Sequence, residues 1–292
     1  MKIPALSMVD DLACVSESGV NTVEINSYVN TKSLCKKLQF GTEKCSQISV
    51  GEKMHISPQL FISSWKYVKN GETGNFEDQY VGETEIKKTT KSKYLGDVIC
   101  NNGRSTATVL DRKAKGLGIS QQILNILNET FFGCYELEVA LILRKSLFLN
   151  GILTNSEAWY GLSIADVKIL EQIDESLLRK FLQTPVSTPK CILYLETGST
   201  PIRFIIMSRR LMFLHYILRE NKESLISKFF QAQLANPVKN DWTMTCSENL
   251  QELGIDQSLN EIRSMSKQKF KTMIKEKISQ KAFAFYKKKK AN

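Results

Sequence analysis

Two adjacent carboxylates, Asp10 and Asp11, stand between the short apolar runs Ala5-Leu6-Ser7-Met8-Val9 and Leu12-Ala13-Cys14-Val15. Carboxylate oxygens suit a hard divalent cation, and a rigid hairpin would hold a pair of them where such a cation can bind. The same dipeptide also makes an ordinary solvated turn, because Asp tolerates turn conformations and hydrogen-bonds its own backbone. Both readings require the same local structure. The flanking runs are strand-length and bounded by Pro4 and by Ser16-Glu17-Ser18-Gly19, which predicts a β-hairpin with the acids at its tip. Magnesium would need further oxygen ligands from separate elements, from substrate phosphates and from water.

The remaining elements follow from periodicity. Asn21 to Leu38 carries a helical apolar spacing that ends in Lys36-Lys37 before Gly41, and Cys45 to Val50 alternates like a strand. Short β-like pieces over Gln59 to Trp65 and Asp78 to Val81 surround a polar loop, Lys69 to Asn75. KSKYLGDVI, residues 91 to 99, reads as a strand or hairpin followed by a turn at Asn101-Asn102-Gly103. From there the spacing is helical over 104–117, 121–128, 137–153, 163–183, 201–220, 222–234 and 266–285. Ser163 with Asp166 resembles a capping box, Ser266 is placed to cap the last helix, and Thr200-Pro201 puts a cap before a proline at the first helical position.

Composition narrows the function classes. Across 292 residues, forty Lys and Arg outnumber thirty Asp and Glu, for a net charge of +10, which favours a polyanionic partner. The seven cysteines are scattered, odd in number and without a C-x-x-C pair, which predicts reduced thiols in an intracellular protein and no zinc knuckle. Apolar runs such as Phe204-Ile205-Ile206-Met207 are too short to span a bilayer, so no membrane partner is expected. His55 and His215 are too few and too distant for a metal site, and His215 reads as a core or interface residue.

In this order and spacing, the segments resemble the C-terminal part, the end of the palm plus the thumb, of a non-LTR (LINE-type) retrotransposon reverse transcriptase. MVDDLA at 8–13 is similar to that family's catalytic x-x-D-D hairpin, with Val9 in place of the usual alanine. KKLQFGTEKC at 36–45 is similar to the next palm motif, and KYLGDVI at 93–99 to its Y-L-G hairpin near the primer. DRKAKGLG, LRKSLFLNGILTNSEAWY, LEQIDESLLRKFL and RRLMFLHYIL resemble segments of the thumb and the region after it. The resemblance implies an α+β fold: a partial polymerase palm (β-hairpin, helix, small antiparallel sheet) over 1–103, a helical thumb over 104–185, and a C-terminal helical region with a basic tail over 186–292. It implies metal binding and catalysis by Asp10 and Asp11, a triphosphate contact by Lys44, and a primer hairpin formed by Tyr94, Leu95 and Gly96. The implied cofactor is Mg2+ and the implied partners are an RNA template and a DNA primer, with no small-molecule cofactor.

The family's first palm motif, which supplies another metal-binding aspartate, lies upstream of the hairpin, and only nine residues precede Asp10 here. The expectation is therefore a truncated RNA-directed DNA polymerase fragment that does not polymerise alone. The alternative is a non-catalytic nucleic-acid-binding or interaction protein derived from the thumb. In either case Lys91, Lys93, Arg112, Lys113, Lys115, Arg209 and Arg210, with Lys87, Lys88 and the lysines from 267 to 290, are expected to contact phosphates, and Trp65, Tyr67, Tyr94 and Trp159 to stack on bases where exposed. The competing expectation is that the charges are solvated helix faces and that Trp159 and Tyr160 belong to the core. Lys287 to Lys290 is a short basic run compatible with a nuclear signal.

Overall fold

The computed structural model describes residues 5–8, 11–16, 19–35, 40–50, 58–71, 74–131, 135–159, 161–239 and 241–290. Chain contacts divide it into two compact units, Met1–Gly103 and Arg104–Asn292. The fold is mixed α+β.

In the first unit, β1 (Ala5–Met8) and β2 (Asp11–Cys14) pair antiparallel, with Met8 opposite Asp11. Helix α1 (Gly19–Cys35) follows and lies along β4 (Phe61–Lys69). The side-chain amides of Asn26 and Asn30 donate to the Phe61 carbonyl at 2.6 and 2.8 Å, satisfying backbone that none of the described strands covers. A single 3₁₀ turn, Thr42–Lys44, leads into β3 (Ser46–Gln47), which pairs parallel with β6 (Lys87–Lys88). Strand β4 pairs antiparallel with β5 (Phe76–Glu85), the register shifting between Ser64 and Trp65, and β7 (Lys91–Tyr94) pairs antiparallel with β8 (Asp97–Cys100).

Where one antiparallel sheet was expected, the described strands form four separate two-stranded ladders, one of them parallel. Strands β4 and β5 run well beyond the short pieces that alternation suggests. A two-stranded ribbon buries little of either face, so its sequence need not alternate. Leu60, Ile62 and Ile86, with Phe40 and Cys45 against them, form the small core.

The second unit is helical: α2 (Thr106–Phe131), α3 (Leu137–Leu143), a π-helical segment Arg144–Leu149, α4 (Asn150–Ile152), α5 (Ile164–Phe181), α6 (Lys190–Thr197), α7 (Ile202–Arg219), α8 (Leu225–Ala235), α9 (Trp242–Glu252), α10 (Leu259–Ser264) and α11 (Lys267–Lys290). One continuous core runs through it, from Val109 and Ile123 on α2 to Phe270 and Ile274 on α11. The Ser163–Asp166 capping box is formed, and Ser266 accepts the Lys269 amide at 3.2 Å. At α7 the cap falls one residue later than expected, on Pro201 itself. His215 is buried on α7, its Nε2 3.0 Å from the Met265 carbonyl and its ring stacked on Phe270.

Helix α2 runs unbroken through Gly116 and Gly118, where separate helices were expected. Tertiary packing outweighs low helix propensity here. Gly116 is buried, and a Cβ on it would stand 2.9 Å from Ile152 Cγ2 and 3.5 Å from Phe148 Cε2, so the glycine lets the two helices approach. Gly118 faces open space.

Three buried acids on α5 organise the rest of the unit. Arg144 grips Asp174 in a bidentate pair, Nε to Oδ1 at 2.6 Å and Nη2 to Oδ2 at 2.7 Å, with the two side chains 6% and 0% exposed. Arg203 on α7 pairs with Glu171 at 2.8 Å, and Lys190 on α6 pairs with Glu175 at 2.6 Å. Burial, together with the charges of Asp174, Glu175 and Glu171, pushes the Tyr194 phenol above its ordinary range and keeps it neutral.

Two outcomes follow for thermal unfolding. Gly118→Ala should stabilise by up to about 1 kcal/mol through helix propensity, while Gly116→Ala should lose about 1 kcal/mol net because overpacking exceeds that gain. Asp174→Ala should cost about 3–5 kcal/mol, because it removes the carboxylate that balances the Arg144 charge in the core. A melting temperature unchanged in Asp174→Ala would refute the organising role of the pair.

Candidate nucleic-acid interface

The hairpin β7–β8 is the best-defined candidate element. Tyr94 faces Asp97 in the ladder, leaving Leu95 and Gly96 as a two-residue loop with φ of 47° and 88°. Two successive positive φ values are what a tight turn needs to match the strand twist. Gly96 adopts this backbone freely, whereas Leu95 does so against its own Cβ and stands exposed at the tip. Lys91 and Lys93 are exposed while Ser92 and Tyr94 are half-buried, so the period of the strand places both lysines on one face. The Ser46 hydroxyl donates to Ser92 Oγ at 2.6 Å, tying this hairpin to β3 and through it to Lys87 and Lys88 on β6.

The other palm residues are less complete. Asp11 opens β2, and Asp10 lies outside the described residues, as do Lys36 to Gln39. Lys44 closes its 3₁₀ turn by donating its amide to the Gly41 carbonyl at 2.8 Å, and its side chain is exposed. Among the described residues, no three His, Cys, Asp or Glu side chains converge on a point that could hold a metal ion. Two adjacent acids on one hairpin fall short of a two-metal donor set, which draws carboxylates from separate elements.

The arginines of the second unit have structural positions instead. Arg112 is 3% exposed, and its Nη1 donates to the Gly151 carbonyl at 3.4 Å. Arg210 is 5% exposed and donates through Nη2 to the Trp159 carbonyl at 2.9 Å. Arg209 is half-buried and donates to the Leu153 carbonyl and to Ser156 Oγ. With Trp242 Nε1 on the Glu157 carbonyl at 2.8 Å, the two arginines clamp the segment between α4 and α5.

Burial lowers the pKa of both guanidiniums, Glu157 opposing it at Arg209, and Cys246 and Glu248 at Arg210; both remain charged at any physiological pH. Arg112 and Arg210, expected to contact phosphates, are instead buried and donate to backbone carbonyls, which does not present their guanidiniums on the described surface. Burial also makes Trp159 a core residue, 3% exposed. Tyr94 is half-buried, and Tyr160 lies outside the described residues. Lys113 and Lys115 are exposed on α2. The phase of α2 carried the signal for Arg112, which falls in line with the buried Val109, Gly116 and Ile123.

Neither family models, nor curated proteins, nor solved structures give a match to this chain.

Arg210→Ala should destabilise the second unit by about 2–4 kcal/mol, because it leaves a cavity and removes a buried donor to the Trp159 carbonyl. Lys113→Ala should change stability by less than about 0.5 kcal/mol. Chemical denaturation of both variants checks this, and equal stabilities would argue against the clamp.

Proposed function

We propose that the chain carries the closing part of the palm and the thumb of an RNA-directed DNA polymerase of the non-LTR retrotransposon type, and that it binds nucleic acid without polymerising on its own. One observation supports this reading above the others: both motif segments coincide with tight antiparallel hairpins. In the first, Met8 pairs with Asp11 and only Val9 and Asp10 intervene; in the second, Tyr94 pairs with Asp97 and only Leu95 and Gly96 intervene. Motifs at short connections can present their side chains at a hairpin tip, which is where polymerase chemistry requires them. The long helices of the second unit are compatible with a thumb.

In this reading Asp10 contributes to holding magnesium and Asp11 adds negative potential and orients the hairpin. Magnesium, when bound, stabilises the charge that develops during nucleotidyl transfer. Lys44 is exposed and available to an incoming triphosphate, and Tyr94, Leu95 and Gly96 support the primer end. Lys91 and Lys93 contact phosphates on one face of the same hairpin. The polymerase partners are an RNA template and a DNA primer. Rate acceleration would require an enclosed, preorganised metal site, which two acids on one hairpin do not build.

Primer extension with magnesium or manganese tests the absence of activity: no product is expected, and extension that Asp10→Ala abolishes would overturn it. The transcript upstream of the Met1 codon tests the polymerase origin. An in-frame continuation that encodes a further palm aspartate is expected. A stop codon immediately upstream would instead favour a non-catalytic binding protein.

A further inference from the structure

The net charge of the protein is concentrated in one helix. Helix α11 contains ten lysines and a single acid, Glu276, among its 24 residues, so it carries +9 of the chain's +10 and leaves only +1 for everything else. Its apolar side is already used: Phe270, Ile274, Ile278 and Ala282 are buried, and the helix packs on α7 and α6. Lys267, Lys269, Lys271, Lys275 and Lys281 are exposed, while Lys277 is half-buried. Between them the exposed positions are polar, among them Gln268, Thr272, Ser279 and Gln280. Ser266, Gln268, Lys269, Thr272, Met273 and Glu276 line an open groove of about 550 Å³.

This placement works against the helix's own stability. Lys267 and Lys269 occupy the first turn, where the helix dipole favours acids, and no acid is present there. Lys267, Lys271 and Lys275 repeat at four-residue intervals, so like charges stack about 6 Å apart along one row. A solvated surface selected only for solubility would mix signs along such a row. The cost is offset when an anionic partner lies against it.

We infer that the exposed lysine face of α11 binds the phosphate backbone of a nucleic-acid duplex without reading its sequence. A helix of 24 residues is about 36 Å long, close to one turn of B-form DNA. An anionic membrane is a poorer fit, since an interfacial helix needs a free apolar face and on α11 that face is buried from Phe270 to Ala282. Single strands are a poorer fit as well, because stacking needs exposed aromatics, and of the α11 side chains the structure describes, Phe283 is the one exposed aromatic. This inference shares with the proposed function only the expectation of a nucleic-acid partner and does not depend on the palm hairpins.

The experiment uses the full chain, a mixed-sequence DNA duplex of about two helical turns labelled with a fluorophore, and anisotropy titrations across salt concentrations. A quadruple variant (Lys267→Gln, Lys269→Gln, Lys271→Gln, Lys275→Gln) is expected to flatten the log–log salt slope by about 3–4, at roughly 0.9 for each phosphate that is no longer neutralised. The matching Lys→Arg quadruple should retain the slope, and a second duplex sequence should bind equally. Circular dichroism melts separate lost binding from lost folding. A wild-type slope in the folded Gln variant would overturn the inference, as would tighter binding to phosphatidylserine vesicles than to duplex. Loss of binding in a Lys91→Gln, Lys93→Gln variant with α11 intact would also reject it, while leaving the hairpin reading standing.

Discussion

Charge balance inside a low-dielectric core is the constraint on which the helical unit depends. Arg144 and Asp174 are both withdrawn from water, a transfer that costs several kcal/mol per ion unless the geometry is close and the remaining hydrogen-bonding capacity is met. The bidentate contact meets that demand, and Glu171 and Glu175 extend it by engaging Arg203 and Lys190. Three acids within five residues of α5 thus fix the π segment, α6 and α7 against one helix. Hydrophobic contacts alone tolerate sliding, whereas paired charges at bonding distance set the register in which Leu170, Leu177 and Leu178 meet their neighbours.

The two units are held together internally by different physics. The second has a continuous apolar core under its ionic pairs. The first has a small cluster around Leu60, Ile62 and Ile86 and relies on ladders and on side-chain amides such as those of Asn26 and Asn30. Two-stranded ladders are marginal by themselves, so the hairpins bearing Asp11 and Tyr94-Leu95-Gly96 sit in the part of the chain with the least burial to stabilise them. The positive φ of Leu95 adds local strain at a solvent-exposed tip.

Much of this was legible in the sequence, for identifiable reasons. The hairpins could be read because tight turns punctuate them, and α5 because Ser163 and Asp166 announce its start ahead of a regular apolar period. Helices α6, α9 and α10 escaped, although Asp241 and the Ser258–Glu261 box cap the last two: α6 and α10 are too short to establish a period, and the buried face of α9 includes the polar Thr243 and Asn249. The arginines misled because charge type says nothing about direction. Arg209 and Arg210 sit inside an apolar stretch, and only the fold shows that both donate to backbone carbonyls of the preceding loop. The metal-site reading is of a different kind, since a two-metal site is a property of several elements and Asp10 lies outside the described residues.

The π-helical segment has a consequence for the spacing of the chain. Ala140, Arg144, Phe148 and Ile152 are all buried at strict four-residue intervals. In a regular α-helix twelve residues overshoot three turns by about 120°, so Ile152 would rotate well away from the face that Ala140 occupies. The wider π turn at Arg144–Leu149 absorbs that overshoot and keeps the column in phase. The stretch therefore carries a count as well as a composition. With one residue fewer between Arg144 and Phe148, Ala140 and Ile152 would stand eleven residues apart, within about 20° of three full α-helical turns, so the column would keep its face and the π turn would no longer be needed.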